Sequence, residues 1–210
     1  MSSADFYLNK TSRHYTSYRK LIVRIATLLG AKNDSSLHAE IDAILEFESK
    51  LANVSSVYEK NGGAGFQRLT LSKLSKFIPK LNWPLYFEYA IPVFINGSES
   101  IGVYAFDYFV DVHDIVGSTS TTTIKNYLVW RFVMNRSKNL DSRFETALSE
   151  FYNDQYGTKS VPARWSKCVD FVNGNLGLAV SALYVQKYFD LESKHKAEAM
   201  IKMIKNEFEI

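Results

Sequence analysis

Hydrophobic positions recur along most of this chain at spacings of three and four residues, the periodicity of amphipathic helices. Tyr18, Leu21, Ile22, Ile25, Leu28 and Leu29 form one stripe, closed by Gly30 at the position where helices take a left-handed cap. After Asn33-Asp34-Ser35-Ser36, a polar run suited to capping a helix N-terminus, Leu37, Ile41, Ile44, Leu45 and Leu51 continue the same pattern. Leu71 to Ile78 predicts a short helix stopped by Pro79, and Trp83 to Ala90 a second one ending near Pro92. Asn96-Gly97 predicts a turn and Ile101 to Tyr104 a short extended piece, the one non-helical element expected. Ala105 to Val116 reads as helix, and Ser118 to Thr123 as a polar loop with Thr123 as a cap. Ile124 to Met134 is apolar on nearly every side, which predicts a buried helix in which Arg131 needs a carboxylate or carbonyl partner. Leu140 to Tyr156, closed by Gly157, comes next. From Val161 to Phe189, apolar residues at Trp165, Cys168, Val169, Val172, Leu176, Ala179, Val180, Leu183 and Tyr184 predict one long helix opened by Pro162 and running through Asn173-Gly174. Ala197, Met200, Ile201, Ile204 and Phe208 complete a last amphipathic helix. The fold class is therefore all-α.

Asn61-Gly62-Gly63-Ala64-Gly65 interrupts the pattern. A phosphate-cradling loop would need a preceding strand and a following Gly-Lys-Ser/Thr, and neither is present, so the run reads as a connector. The main boundary falls here, with a helical pair over 1–60 and a larger helical region over 61–210. Composition adds little. The chain is 46% hydrophobic and 14% aromatic, enough to bury a core, and its formal charge is only +3 from 25 basic and 22 acidic residues. That balance offers no footprint for nucleic acid. No unbroken apolar run approaches the ~18 residues of a membrane span, and the N-terminus has no apolar signal region, so neither a transmembrane segment nor membrane contact is expected.

Candidate chemistry is sparse. His14, His38, His113 and His195 are scattered, none with a second His four residues away, so no zinc site of the His-Glu-x-x-His type is present. Gly-x-Ser-x-Gly is also missing. Asp107, Asp111 and Asp114 share a helix spacing, as solvated faces commonly do. The basic segment from Lys194 to Lys205 fits a calmodulin-type target helix or, more simply, an amphipathic helix packed on its predecessor. Asn-x-Ser/Thr sequons occur at Asn9, Asn33, Asn53, Asn96 and Asn135, against about two expected by chance, which suggests a glycosylated ectodomain or else unused surface asparagines. Asn33, Asn53 and Asn96 fall at expected helix ends or loops, and Asn135 falls late in a helix. The one cysteine, Cys168, is either a half-cystine lacking its partner or a small buried hydrophobe.

The string Arg164-Trp165-x-x-Cys168-x-x-x-Val172-Asn173-x-Asn175, followed by Leu183-Tyr184-Val185, resembles the neprilysin and endothelin-converting-enzyme family of zinc metallopeptidases. The likeness continues in Tyr15-x-x-Tyr18, Phe47-Glu48-x-x-Leu51-Ala52-Asn53, Thr70-Leu71-x-x-Leu74, Asn82-Trp83 and Asn126-Tyr127-Leu128-x-Trp130-Arg131, and after the long helix in Ser193-Lys194-His195. It implies structural roles for Trp83, Trp130, Arg131, Arg164, Trp165, Asn173, Asn175 and Tyr184. It also implies that Cys168 pairs in the family with a cysteine upstream of the matched region. By this resemblance the chain is the N-terminal, non-catalytic region of a metalloendopeptidase. The family's zinc-binding half, its Asn-Ala-x-Tyr substrate motif and its glutamate ligand would lie beyond Ile210. The region would then help enclose the active-site chamber and restrict substrate size, facing a C-terminal catalytic lobe and peptide substrates, outside the cell. Zinc belongs to the full-length enzyme, and this chain alone is expected to hold none and to hydrolyse nothing. The other reading is a truncated secreted paralogue that binds peptides as a decoy.

Overall fold

A computed structural model describes residues 5–60, 65–157 and 162–208, with ten helices and one two-stranded sheet among them. Of the connector expected at 61–65, residues 61–64 lie outside the described residues. The chain divides into two compact units, Met1–Lys159 and Ser160–Ile210.

The first unit is built on helices α1 (Asp5–Leu8), α2 (Arg13–Leu28) and α3 (Ser35–Lys60). Ser12 caps α2 by accepting from the Tyr15 N–H, and Asp34 accepts from the Leu37 N–H at the start of α3. Gly30, at φ 103°, ends α2 in a Schellman motif: its N–H donates to the Thr27 carbonyl and that of Ala31 donates to Ala26. A side chain here would have to occupy the left-handed region, so glycine is the fitting residue.

Strand β1 (Phe66–Thr70) pairs antiparallel with β2 (Ser100–Tyr104), Phe66 facing Tyr104 and Thr70 facing Ser100. β2 corresponds to the extended piece expected at Ile101 to Tyr104. β1 was not anticipated, because its partner is far away in sequence and five residues carry no readable period. Gly102 is required by close approach, since a Cβ there would meet the Phe66 ring at 2.6 Å. Between the strands run α4 (Leu71–Phe77) and α5 (Trp83–Ala90), capped by Thr70 and Asn82. Leu71, Leu74, Ile78, Trp83 and Val103 form a small core here.

Helices α6 (Phe106–Ser118), α7 (Thr121–Ser137) and α8 (Ser142–Tyr156) follow. β2 passes into α6 through Ala105, a non-glycine residue at φ 57°. The cap of α7 is Ser120, whose Oγ accepts from the Thr123 N–H, so the helix starts before the expected Thr123 cap. Nor is α7 buried on every side. Only Trp130 and Ser137 are buried, and Leu128, Val129 and Phe132 are 60–65% exposed. α8 packs on α2 through Ala147, Leu148 and Phe151, and Gly157 ends it at φ 66°. Gln155 and Asp154 of α8 reach back to Ser17 at 2.7 Å and Arg13 at 2.8 Å. The main core joins α1, α2, α3, α7 and α8 around Ile22, Ile25 and Leu45.

The second unit holds α9 (Arg164–Tyr188) and α10 (Leu191–Phe208). The single long helix expected is present. It starts two residues after Pro162 and is kinked at Leu176, whose φ of −124° and ψ of 28° leave the helical region. Gly174 and Gly177 flank the kink and supply the local weakness. No residue of α9 or α10 is buried. By length and composition α9 is apolar enough to cross a membrane, which corrects the expectation that no segment qualifies. Asn173, Gly174, Asn175 and Gly177 break the visible run, but they carry no charge and leave the average apolar.

Candidate functional site

The most organised polar cluster lies inside the main core. Tyr18 of α2 accepts a 2.8 Å hydrogen bond from the Trp130 indole N–H of α7, and its own hydroxyl donates to Glu48 Oε1 of α3 at 3.3 Å. The Arg131 guanidinium stands 3.8 Å from the same carboxylate oxygen, which supplies the partner its sequence position demanded. The Tyr7 and Tyr18 rings meet edge to face at 6.1 Å, bringing α1 into the cluster. Glu48 is 4% exposed, and its Oε2 makes no hydrogen bond.

Burial is the largest influence on the Glu48 carboxyl and raises its pKa above the ordinary 4.5; Tyr18 and Arg131 oppose that rise without cancelling it. Arg131 is half exposed and at the limit of ion-pair distance, so its compensation is incomplete. Burial, followed by the nearby Glu48 charge, likewise pushes the Tyr7 and Tyr18 hydroxyls well above their usual range. Chemically the cluster is a clamp: one carboxylate ties α2, α3 and α7, and the Tyr7 ring joins α1 to it through Tyr18. In the sequence Glu48 stands in the Phe47-Glu48 motif, with no sign there of the partners that bury it. Its true signal was its phase, since Glu48 follows Ile41, Ile44 and Leu45 on the apolar stripe of α3.

The other motif residues fall into two groups. Trp83 caps the small core and donates its indole N–H to the Ile78 carbonyl at 3.2 Å. On α9, Arg164 stands at the N-terminus, Trp165 is 72% exposed, and Asn173 is exposed. Asn175 Nδ2 donates to the Phe171 carbonyl, and the Tyr184 and Tyr188 rings meet at a tilt of 34°. Cys168 is an exposed free thiol on the same helix, so the small-buried-hydrophobe reading does not hold. The sequons also divide. Asn9, Asn33 and Asn96 are exposed outside helices, with Asn9 and Asn96 accepting from the backbone N–H of Thr11 and Ser98. Asn53 is exposed in the interior of α3, not at a helix end as expected, because that helix runs unbroken to Lys60. Asn135 is exposed on α7, but the hydroxyl of its sequon partner, Ser137, is fully buried and donates to the Met134 carbonyl.

His14 stacks on Phe6 at 4.2 Å and hydrogen bonds to Gln155. His38, His113 and His195 stand on α3, α6 and α10. Among the described residues no three His, Cys, Asp or Glu side chains come together to hold a metal. The donor set among the described residues does not fit zinc.

The model of peptidase family M13, in its N-terminal part, matches residues 1–210. The chain belongs to peptidase family M13. Its M13 relatives include endothelin-converting enzyme 1 of Rattus norvegicus, 35% identical over 100% of this chain and 28% of that protein. Neprilysin-11 of Caenorhabditis elegans is 31% identical over 97% of this chain and 26% of its own length. The chain thus spans less than a third of the M13 relatives it matches. The fold is shared with a zinc metalloprotease of Mycobacterium tuberculosis in its open state, at a TM-score of 0.76 and 21% identity, over 96% of this chain and 32% of that one.

Proposed function

We propose that this M13 chain acts as the non-catalytic helical region of a zinc metalloendopeptidase, enclosing the active-site chamber and limiting the size of peptides that enter. The observation that carries the reading is the family match over residues 1–210, set beside relatives whose names describe peptide-processing enzymes. The zinc site would then come from a C-terminal catalytic lobe. That lobe is the chief partner. The bare apolar side chains of α9 and α10 supply surface for such a neighbour. Cys168, exposed and unpaired, is then available for a disulfide to a cysteine elsewhere in a longer polypeptide. An extracellular setting, with glycans at Asn9, Asn33 and Asn96 ahead of Asn53 and Asn135, accords with the same reading.

The test is a chimaera in which this chain replaces the matching region of rat endothelin-converting enzyme 1. The expected result is zinc-dependent cleavage of short peptides with exclusion of folded proteins. A folded, zinc-loaded chimaera that cleaves large and small substrates alike overturns the size-limiting role. The chain alone is expected to bind no stoichiometric zinc and to lack chelator-sensitive peptidase activity. One equivalent of tightly bound metal would contradict the division of labour.

A further inference from the structure

We propose that the pocket between α2, α3 and α7 is a binding site for a small, neutral, single-ring apolar molecule. The inference does not rest on the peptidase reading. The pocket has a volume of about 170 Å³. Its floor is made by Ile22, Ile25, Ile41 and Ile44, all buried, and its wall by Trp130 and Val133. Leu29 and Val129, both more than half exposed, form the rim and leave it open to entry.

The polar side chains of the lining satisfy one another. Asn126 of α7 donates to Glu40 of α3 at 2.9 Å. The Trp130 indole N–H points away from the pocket, toward Tyr18. Water in such a space finds few free hydrogen-bond partners, and aliphatic and aromatic walls around this volume suit a single apolar ring. A charged ligand would be stripped of water without a free counter-charge, and a carboxylate would also face Glu40. Size and polarity therefore select one neutral ring or a branched chain of similar bulk.

Toluene is the probe, with benzoate and benzylamine as charged isosteres, added to the full chain with isoleucine δ-methyls observed by NMR. The expected result is a saturable shift confined to Ile22, Ile25, Ile41 and Ile44, with a rise of a few degrees in Tm and no response to either charged compound. Ala26→Leu, on the lining of α2, places a side chain in the pocket and keeps good helix propensity. It is expected to abolish the saturable shift in a folded protein. Val133→Phe fills the space from α7 and serves if Ala26→Leu does not fold. Toluene shifts that do not saturate, that appear instead on the exposed Ile201 and Ile204 of α10, or that survive in a folded filled variant overturn the proposal. A response to benzoate or benzylamine equal to that of toluene does the same.

Discussion

Helices α2 and α9 carry apolar residues at similar density, but those of α2 gather on one face and those of α9 spread around the helix; α2 buries six residues and α9 none. Periodicity decides that a segment is a helix; it does not decide whether a partner surface exists for the apolar face. α2 finds that surface in α3, α7 and α8, where Ile25 is 0% exposed and the Glu48 clamp fixes the approach. α9 presents Trp165, Leu178 and Leu183 to solvent, Leu178 at 91% exposure. The difference lies both in tertiary context and in the local pattern, since only α2 concentrates its apolar residues on one face.

Substitutions can break or sharpen this contrast. Trp130→Ala removes a buried aromatic and the indole donor to the Tyr18 oxygen; it should cost about 3–5 kcal/mol in chemical denaturation. A loss below about 1 kcal/mol would mean the core described around it is not formed in solution. Gly30→Ala forces a side chain to φ 103° and should cost about 1 kcal/mol or more, read as a lower urea midpoint. Glu48→Gln tests the clamp through pH. The folded carboxyl has a raised pKa, so its protonated form is stabilising below the ordinary value of 4.5, and that contribution is lost as pH rises through the folded pKa. The variant should therefore gain stability relative to the parent as pH rises from about 4 to 8, judged by Tm. A constant or opposite difference would show that Arg131 fully compensates the charge. Arg131→Ala, at a half-exposed and distant ion pair, should cost only about 1 kcal/mol. The smallest effect is expected at Leu178→Ala, within about 0.5 kcal/mol. If it matches Trp130→Ala, α9 is buried in solution and the contrast between the helices fails.

Much of the fold was legible from residues that act locally. Gly30 and Gly157 mark helix ends because positive φ is a backbone property of the residue itself. Pro79 and Pro92 end helices for the same kind of reason. What required a distant partner was not legible. β1 needs Ser100 to Tyr104 across some thirty residues, and the exposed faces of α7 and α9 depend on what lies opposite. Ser120 displaced Thr123 as a cap because the two hydroxyls, three residues apart, are chemically equivalent choices. Of the candidate site, Trp130 and Arg131 were found through family likeness and an unpaired charge. Glu48 stands in the Phe47-Glu48 motif, but its burial was not legible because its partners Tyr18 and Arg131 lie on other helices.

The buried hydroxyl of Ser137 has a consequence for biogenesis. A transferase that reads Asn135 together with that hydroxyl meets them only while α7 is still open, since in the folded chain Ser137 is sealed at 0% exposure. In a chain passing through a glycosylating compartment, sugar occupancy at Asn135 therefore works as a clock. It records how often modification outruns closure of the core, and slow-folding variants should carry more of it.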